Sequence, residues 1–284
     1  MISQRSPVTI GSFETGSPGL VAMAFRGLRD RAPDSDGGEE HVPDLDAAGL
    51  AFPTGSSVTE GGSDAVRRIR RDVTVLVACL AVFAGCAVVV ADGRVGPAER
   101  AVFHAINGLP GWLYRPMLLA QYLGVLAMPL VVAAGALAFR RWRLAVALVL
   151  VVPLKLGVER VPKLLVQRQR PGATVPDAIL RGVPHGGLSF VSGHAIITFA
   201  IAGLLVLALP RRWGIVALVL ATLNAVARVY LGAHNPLDVV GGAAIGLAIA
   251  AVLDLALDVA RGRGGSRRGQ AAPARGDPGI PGRS

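Results

Sequence analysis

Apolar residues dominate six stretches of this chain, each about 20 residues long, and polar residues concentrate between and outside them. A run of about 20 apolar residues is the length that an α-helix needs to cross the hydrocarbon core of a bilayer. The stretches cover about residues 73–92, 116–139, 143–166, 190–209, 214–232 and 236–258. The pattern therefore predicts an all-α integral membrane protein with six transmembrane helices in a bundle.

The two ends of the chain differ from this central part. Residues 1–66 are rich in Gly, Ser, Pro, Asp and Glu without sustained periodicity, and residues 261–284 are rich in Gly, Arg and Pro. Segments of this composition bury too little apolar surface to fold. We expect a disordered N-terminal segment, a membrane domain over residues 67–260 and a disordered basic tail. The N-terminus shows no signal-peptide pattern, and Met23 offers a later start codon.

Lys and Arg residues indicate how the predicted helices are oriented. The chain carries a formal charge of +10, and its cations cluster at residues 67–71, 140–143, 211–212 and 261–268. With six spans, all four clusters fall on one side, which the positive-inside rule makes cytoplasmic. We therefore expect a multi-pass protein of the plasma membrane with both termini in the cytoplasm. No basic stretch carries interleaved aromatic residues, so nucleic acid is not an expected partner.

Composition agrees with a membrane location, because 52% of the residues are hydrophobic and only 17% are charged. Pro97 opens a stretch that predicts a short surface helix between the first two spans. Gly242 and Gly246 form a small-xxx-small pair, which would let a neighbouring helix pack closely. Cys79 and Cys86 lie in one apolar run and are expected to act as small hydrophobic side chains, not as a disulfide.

Three polar blocks interrupt the apolar pattern on the side opposite the cation clusters. They are Lys163-x6-Arg170-Pro171, Ser192-Gly193-His194 and Arg228-x5-His234-x3-Asp238. Charge beside hydrocarbon is costly and is usually kept for a function. The blocks together supply three cations, two imidazoles and one carboxylate. That set suits the binding of a phosphate and the transfer of its phosphoryl group to a histidine.

These spacings resemble the three signatures of the type 2 phosphatidic acid phosphatases, also called the lipid phosphate phosphatase superfamily. The signatures are Lys-x6-Arg-Pro, Pro-Ser-Gly-His and Ser-Arg-x5-His-x3-Asp. Here Val191 replaces the proline and Ala227 replaces the first serine, and the resemblance covers about residues 70–258. It implies an active site at the extracytoplasmic ends of helices three to six, in an enzyme that needs neither a metal nor another cofactor.

The resemblance also implies a role for each residue of the three blocks. His234 would be the nucleophile that forms a phosphohistidine, and Asp238, four residues on, would reach one imidazole nitrogen and support it. His194 would protonate the departing oxygen. Ser192 would donate its hydroxyl and backbone N–H, and Gly193 would let the phosphate approach closely. The phosphate-binding set would comprise Lys163, Arg170, Ser192, Gly193 and Arg228.

Some of these residues and their neighbours also have structural explanations. Ser192 could simply cap a helix, and a single cation near a span could contact lipid headgroups, which is our expectation for Arg168. Lys155, Glu159 and Lys163 fall at i, i+4 and i+8, so Glu159 could pair with either lysine. We expect Lys155 and Glu159 to be structural.

The expected function is a phosphatase that hydrolyses a lipid phosphate or diphosphate in the membrane. A polyprenyl diphosphate is the favoured substrate, and phosphatidic acid or phosphatidylglycerol phosphate comes next. One alternative is a phosphotransferase on the same scaffold that passes a phosphoryl-linked group to an alcohol. A transporter or channel is the weakest alternative, because it predicts ionisable groups through the whole membrane depth.

Overall fold

The computed structural model describes residues 56–183 and 186–260, and this part of the chain is helical apart from its connections. Its helices are α1 (Ser56–Val89), α2 (Pro97–Asn107), α3 (Tyr114–Gln121), α4 (Met128–Ala138), α5 (Trp142–Val166), α6 (Pro171–Thr174), α7 (Gly193–Ala208), α8 (Arg211–Tyr230) and α9 (Pro236–Leu257). Single 3-10 turns at Gly111–Leu113 and Tyr122–Gly124 flank α3. The all-α prediction is confirmed for these residues.

The predicted disordered ends lie mostly outside the described residues. Residues 1–55 and 261–284 are not among them. Residues 56–66, which the composition assigned to the N-terminal segment, form the beginning of α1. Once a helix has formed its first turn, each added residue gains a hydrogen bond at small entropic cost. The apolar part of α1 can therefore carry the helix back into polar sequence.

The prediction of six spans is confirmed only in part. Among the described residues, three helical segments are long and apolar enough to cross a membrane, namely Ala65–Val89, α8 and α9. A fourth exists if Gly111–Gly124 and Met128–Ala138, bent by 70°, form one broken span. The other two predicted spans correspond to α5, which carries several charges, and to α7, which has only 16 residues. The count of six remains a prediction.

Large apolar side chains cover much of the outer surface of the bundle. Val131 on α4, Leu164 on α5 and Val219 on α8 have 62%, 69% and 59% of their surface exposed. Exposed apolar side chains on several neighbouring helices are unfavourable in water and are stable against lipid tails. The fold is that of a membrane protein.

Helix α7 lies against three other long helices and forms the centre of the bundle. It packs against α5, α8 and α9, while α1 packs along the far side of α9. A Cβ atom at Gly242 would lie 2.6 Å from the Ser192 carbonyl oxygen, and one at Gly246 would lie 2.5 Å from the Ile196 carbonyl oxygen. The expected close packing of another helix on this glycine pair is therefore confirmed, and its partner is α7.

Two of the cation clusters that the sequence placed on one side, at residues 67–71 and 140–143, lie near the end of α9, and the cluster at 261–268 lies outside the described residues. Arg71 on α1 contacts Asp254 near the end of α9 at 3.1 Å. Arg143 on α5 donates to the Asp258 carbonyl oxygen at 3.4 Å, and Arg141 donates to the Ala208 carbonyl oxygen at 2.6 Å. These contacts join the middle of α1 and the beginning of α5 to the ends of α7 and α9. The three polar blocks belong to the opposite ends of α5, α7 and α9.

The short helix predicted at Pro97 is confirmed. Helix α2 begins there with the proline in its first turn, after Gly96 in an extended conformation. Proline suits this position because its ring fixes a helical φ and its missing N–H would have no partner. Phe103 and Asn107 are buried on the inner face of α2, so the helix is held against the bundle and carries Glu99 with it.

Candidate active site

The three polar blocks converge at one end of the bundle. Lys163 lies in the last turn of α5, Arg170 precedes α6, and Ser192 precedes the first residue of α7. The loop between α8 and α9 carries His234, and it turns sharply at Gly232, where φ is +75°. A Cβ atom there would lie 2.8 Å from the Ile179 carbonyl oxygen. Glycine therefore fits the position for two reasons, and the turn points His234 back towards α7.

His234 is almost wholly buried, with 3% of its surface exposed. Its Nδ1 lies 3.1 Å from the Ser189 carbonyl oxygen. Since a carbonyl oxygen only accepts hydrogen bonds, Nδ1 carries the hydrogen and the lone pair is on Nε2. Burial lowers the pKa of His234 well below its ordinary value, and the charges of Arg228 and Arg170 lower it further. The ring is therefore neutral at pH 7, as a nucleophile must be.

The direct hydrogen bond expected between Asp238 and His234 is not formed. The Asp238 carboxylate lies 3.9 Å from His234 Nδ1. Its oxygens instead accept hydrogen bonds from the Arg168 guanidinium at 2.9 Å, from the Asn235 backbone N–H at 2.8 Å, and from the Ser189 hydroxyl. Asp238 thus acts on the imidazole through its charge and through Ser189, which touches both groups.

Ser192 does not cap α7 through its side chain, contrary to the simplest structural explanation. Its backbone N–H, expected to bind phosphate, donates instead to the Asp238 carbonyl oxygen at 2.9 Å. The Ser192 hydroxyl is buried and has no hydrogen-bond partner among the described residues. A buried hydroxyl in this state is costly unless a ligand completes it.

The two arginines of the predicted phosphate-binding set also keep buried donors without partners. Arg170 donates from Nη1 to the Ala233 carbonyl oxygen at 3.1 Å, and Arg228 donates from Nη1 to Gln121 Oε1 at 2.8 Å. The Nε of each is buried without a partner among the residues that the structure describes. Each guanidinium is therefore anchored at one corner and keeps donor capacity for an anion.

Lys163, the third cation of the predicted phosphate-binding set, is paired with a carboxylate. Its ammonium pairs with Glu159, whose other oxygen lies 2.5 Å from Lys155 Nζ. A Cβ atom at Gly193 would lie within 2.9 Å of both Glu159 oxygens. What Gly193 makes room for in this structure is the carboxylate of Glu159, whereas we expected it to make room for phosphate.

His194, the predicted general acid, lies in the first turn of α7. Gly124 packs against its ring, and a Cβ atom at Gly124 would lie 2.6 Å from His194 Cβ. The 3-10 turn at Tyr122–Gly124 therefore fixes where the imidazole lies. Gln121, directly before that turn, also anchors Arg228, so this segment supports two of the predicted site residues at once.

The expectation that Arg168 contacts lipid headgroups is wrong. Its side chain has no exposed surface and lies between two carboxylates, 2.5 Å from Glu99 and 2.9 Å from Asp238. It also donates to the Arg94 carbonyl oxygen at 2.9 Å. The chain turns inward directly after α5, where Gln167 adopts a left-handed conformation with φ of 50°, and this turn carries Arg168 into the protein.

Sequence analysis missed five residues that support the site: Glu99, Gln121, Gly124, Arg168 and Ser189. Two of them carried a usable signal. Gln121 is an isolated amide within a predicted apolar span, and Arg168 lies inside the Lys163–Arg170 block. Ionisable or amide groups at such positions are usually satisfied by a specific partner. Glu99 and Ser189 offered no comparable pattern.

Part of the chain is similar to known proteins. The family model described as the PAP2 superfamily matches residues 121–258. The chain is 33% identical over 116 residues to an undecaprenyl-diphosphatase of Sulfolobus acidocaldarius, covering 40% of this chain and 56% of that protein. It is 42% identical over 69 residues to a lipid A 4'-phosphatase of Bacteroides thetaiotaomicron, covering 24% of this chain and 31% of that protein. Neither alignment reaches two thirds of the relative.

One solved structure agrees in fold. The first transmembrane PAP2-type phosphatidylglycerolphosphate phosphatase from Bacillus subtilis aligns with a TM-score of 0.52 and 24% identity, covering 70% of this chain and 98% of that one. LpxE from Aquifex aeolicus aligns with a TM-score of 0.44 and 26% identity, covering 55% and 93%. The matched family region contains all three polar blocks. Over residues 121–258, the chain therefore matches the PAP2 superfamily.

Proposed function

We propose that this protein is a membrane phosphatase that hydrolyses a lipid phosphate or diphosphate through a phosphohistidine on His234. The substrate class we favour is a polyprenyl diphosphate, followed by phosphatidic acid and phosphatidylglycerol phosphate. The reaction takes place at the extracytoplasmic surface of the plasma membrane, with both termini of the chain in the cytoplasm. No metal ion or other cofactor takes part.

One observation carries the proposal. The buried His234 imidazole lies within the electrostatic influence of Arg228 and Arg170. Three buried donor groups of the same polar blocks lack partners within the described residues, namely Arg170 Nε, Arg228 Nε and the Ser192 hydroxyl. Unsatisfied buried donors are rare in native proteins and call for an explanation. We infer that these three donors bind the non-bridging oxygens of a phosphoryl group, whose charge they would stabilise during transfer to His234.

The chemistry divides into two steps. His234 Nε2 attacks phosphorus while the bond from phosphorus to the leaving oxygen breaks, and His194 gives that oxygen its proton. Water then attacks the phosphohistidine, His194 takes the proton from the water, and the bond from phosphorus to Nε2 breaks. The Ser189 carbonyl holds the imidazole in one tautomer throughout, while Asp238 acts through its charge and through the Ser189 hydroxyl.

An apolar groove beside the site favours a lipid substrate. The groove has a volume of about 730 Å³ and runs between α1, α5 and α9, with Phe83, Gly157, Val161, Pro162, Val166 and Phe190 among its lining residues. Pro162 directly precedes Lys163, and Phe190 lies two residues before Ser192. A phosphate at the site would therefore place an attached hydrocarbon chain at the mouth of the groove.

The names of the relatives support the ranking of substrates. One relative is named for undecaprenyl diphosphate and another for lipid A. The alignment with the first is the longer of the two, which favours a polyprenyl diphosphate for this chain.

The proposal is tested by phosphate release from a polyprenyl diphosphate by the purified, detergent-solubilised protein. We expect turnover that is unchanged by EDTA, because no described group of three or more His, Cys, Asp or Glu side chains could hold a metal ion. Phosphatidic acid and phosphatidylglycerol phosphate serve as competing substrates. Loss of turnover in EDTA would contradict metal independence. Transfer of label to an added alcohol without matching phosphate release would favour the phosphotransferase.

The groove is tested by the substitution Gly157→Trp. A Cβ atom at Gly157 meets nothing within 4 Å, so the indole would occupy the groove. Overfilling an apolar site costs about 1–3 kcal/mol, and we expect KM for a long-chain substrate to rise by about 10-fold or more. Turnover of a short-chain phosphate should not change. Val149→Trp, at a 47% exposed position on the same helix outside the groove, is the matched control. Equal effects on both chain lengths would contradict the placement.

A further inference from the structure

Glu159 holds two lysines at once on one face of α5. One carboxylate oxygen pairs with Lys163, and the other lies 2.5 Å from Lys155. The side chains of Lys155, Glu159 and Lys163 are 14%, 13% and 27% exposed. We call these three residues the α5 triad. Its members follow one another at intervals of one helical turn, so each can reach its neighbour without any movement of the backbone.

The α5 triad touches the proposed phosphate site. A Cβ atom at Gly193 would lie 2.8 Å and 2.9 Å from the two Glu159 oxygens and 2.9 Å from Lys155 Cε. Gly193 stands between Ser192 and His194, which we assign to phosphate binding and to proton donation. A structural ion pair inside a membrane helix has no need to lie against these residues.

Lys163 can pair with either of two anions, the Glu159 carboxylate or the phosphate of a bound substrate. Its position in the first polar block assigns it to phosphate, but in this structure its ammonium is paired with Glu159. A substrate phosphate can gain Lys163 only if Glu159 gives it up. Glu159 would then keep Lys155 as its counter-ion, so no buried carboxylate is left unpaired, a state that is strongly unfavourable.

We propose that Glu159 and Lys155 are positioning residues that set the phosphate affinity of the site by controlling Lys163. Glu159 competes with the substrate phosphate for Lys163, and Lys155 neutralises Glu159 when Lys163 moves to the phosphate. This inference rests on the proposed function, because it requires that a phosphate binds beside Ser192 and His194. It gives the α5 triad a role beyond structure.

The mechanism predicts coupling between the two residues. In Glu159→Gln, Lys163 is released, and we expect the inhibition constant of inorganic phosphate and KM to fall by about 10-fold with little change in kcat. In Lys155→Met, Glu159 holds Lys163 alone, and both constants should rise by about 10-fold. The double variant combines Glu159→Gln with Lys155→Met. Because Lys155 affects Lys163 only through the Glu159 carboxylate, the inhibition constant and KM of the double variant should match those of Glu159→Gln within about 2-fold.

The experiment compares these three variants with wild type, using the inhibition constant of inorganic phosphate, KM, kcat and thermal unfolding in detergent. Arg160→Met removes an exposed cation from the same helix and is the matched control. Lys155→Arg, unlike Lys155→Met, should retain the wild-type constants, because it keeps the positive charge. Asp177→Asn, which removes a 74% exposed carboxylate, controls for net charge alone. Arg160→Met and Asp177→Asn should both leave the inhibition constant and KM unchanged.

The outcomes separate this inference from the proposed function. Non-additive changes in the double variant support the inference. If Lys155→Met changed the inhibition constant and KM equally in wild type and in Glu159→Gln, Lys155 would contact phosphate directly. That result would overturn the inference. Loss of thermal stability with unchanged constants would reduce the triad to a structural element. If wild type neither turns over a lipid phosphate nor is protected against unfolding by inorganic phosphate, the proposed function fails and the inference fails with it.

Discussion

Replacing His234 with alanine is expected to reduce turnover by roughly 10³-fold or more, because the covalent intermediate has no other atom on which to form. The loss should appear in kcat. The fold should survive, because the imidazole makes its contacts in a loop, mainly with Ser189. Phosphate release and thermal unfolding of the variant in detergent measure the two effects separately.

The covalent step gives this prediction a second readout. Wild type quenched during turnover of a substrate labelled at phosphorus should carry label in a form that acid removes and alkali does not, as expected for a phosphorus–nitrogen bond. His234→Ala should carry none. His104→Ala is the matched control, since His104 is 38% exposed and faces Asp177 at 3.5 Å. Turnover of His234→Ala within about 10-fold of wild type would refute the phosphohistidine mechanism.

Local spacing was enough to predict that three of the candidate residues lie close together. Arg228, His234 and Asp238 belong to one block of eleven residues, so a single turn at Gly232 between two helices brings them together. Pro97 likewise predicted the beginning of α2 correctly, because the preference of proline for the first turn depends on a single residue. Features of this kind depend on near neighbours in the chain.

The supporting residues could not be predicted, because they depend on contacts between distant segments. Arg168 meets Glu99 across 69 positions, and Ser189 meets His234 across 45. The expected bond between His234 and Asp238 illustrates the same limit. Their spacing allows the contact, but Arg168, Ser189 and Asn235 take up the carboxylate, and only the folded chain reveals that competition.

The span prediction was limited in a different way. A count of apolar residues finds stretches that can cross a bilayer, but it does not detect a bend within one of them. The stretch at about 116–139 is broken near Gly124, and its two halves differ in direction by 70°. The residues at that break contact the candidate site, because Gly124 packs against His194 and Gln121 accepts a hydrogen bond from Arg228. A local departure from the regular pattern thus coincides with the proposed function.

Replacing Arg168 with methionine is expected to destabilise the protein by about 3–5 kcal/mol, the usual cost of removing one partner from a buried ion pair. Two carboxylates, Glu99 and Asp238, would lose their common counter-ion. Burial alone would lower the pKa of Arg168, but its hydrogen bonds to Glu99 and the charge of Asp238 raise it. The side chain therefore stays charged, and we expect Arg168→Met to lower the stability of the protein at every pH at which it is measured.

The substitution should also reduce turnover, because Asp238 would no longer be fixed beside Ser189 and His234. Thermal unfolding in detergent and kcat measure the two consequences. Arg160→Met removes an exposed arginine from the end of α5 and should change neither. Glu99→Gln leaves Arg168 paired with Asp238 and should therefore cost less than Arg168→Met. If Arg168→Met were as stable as Arg160→Met, the headgroup contact expected from the sequence would be correct, and the buried pair that orders Asp238 would not exist.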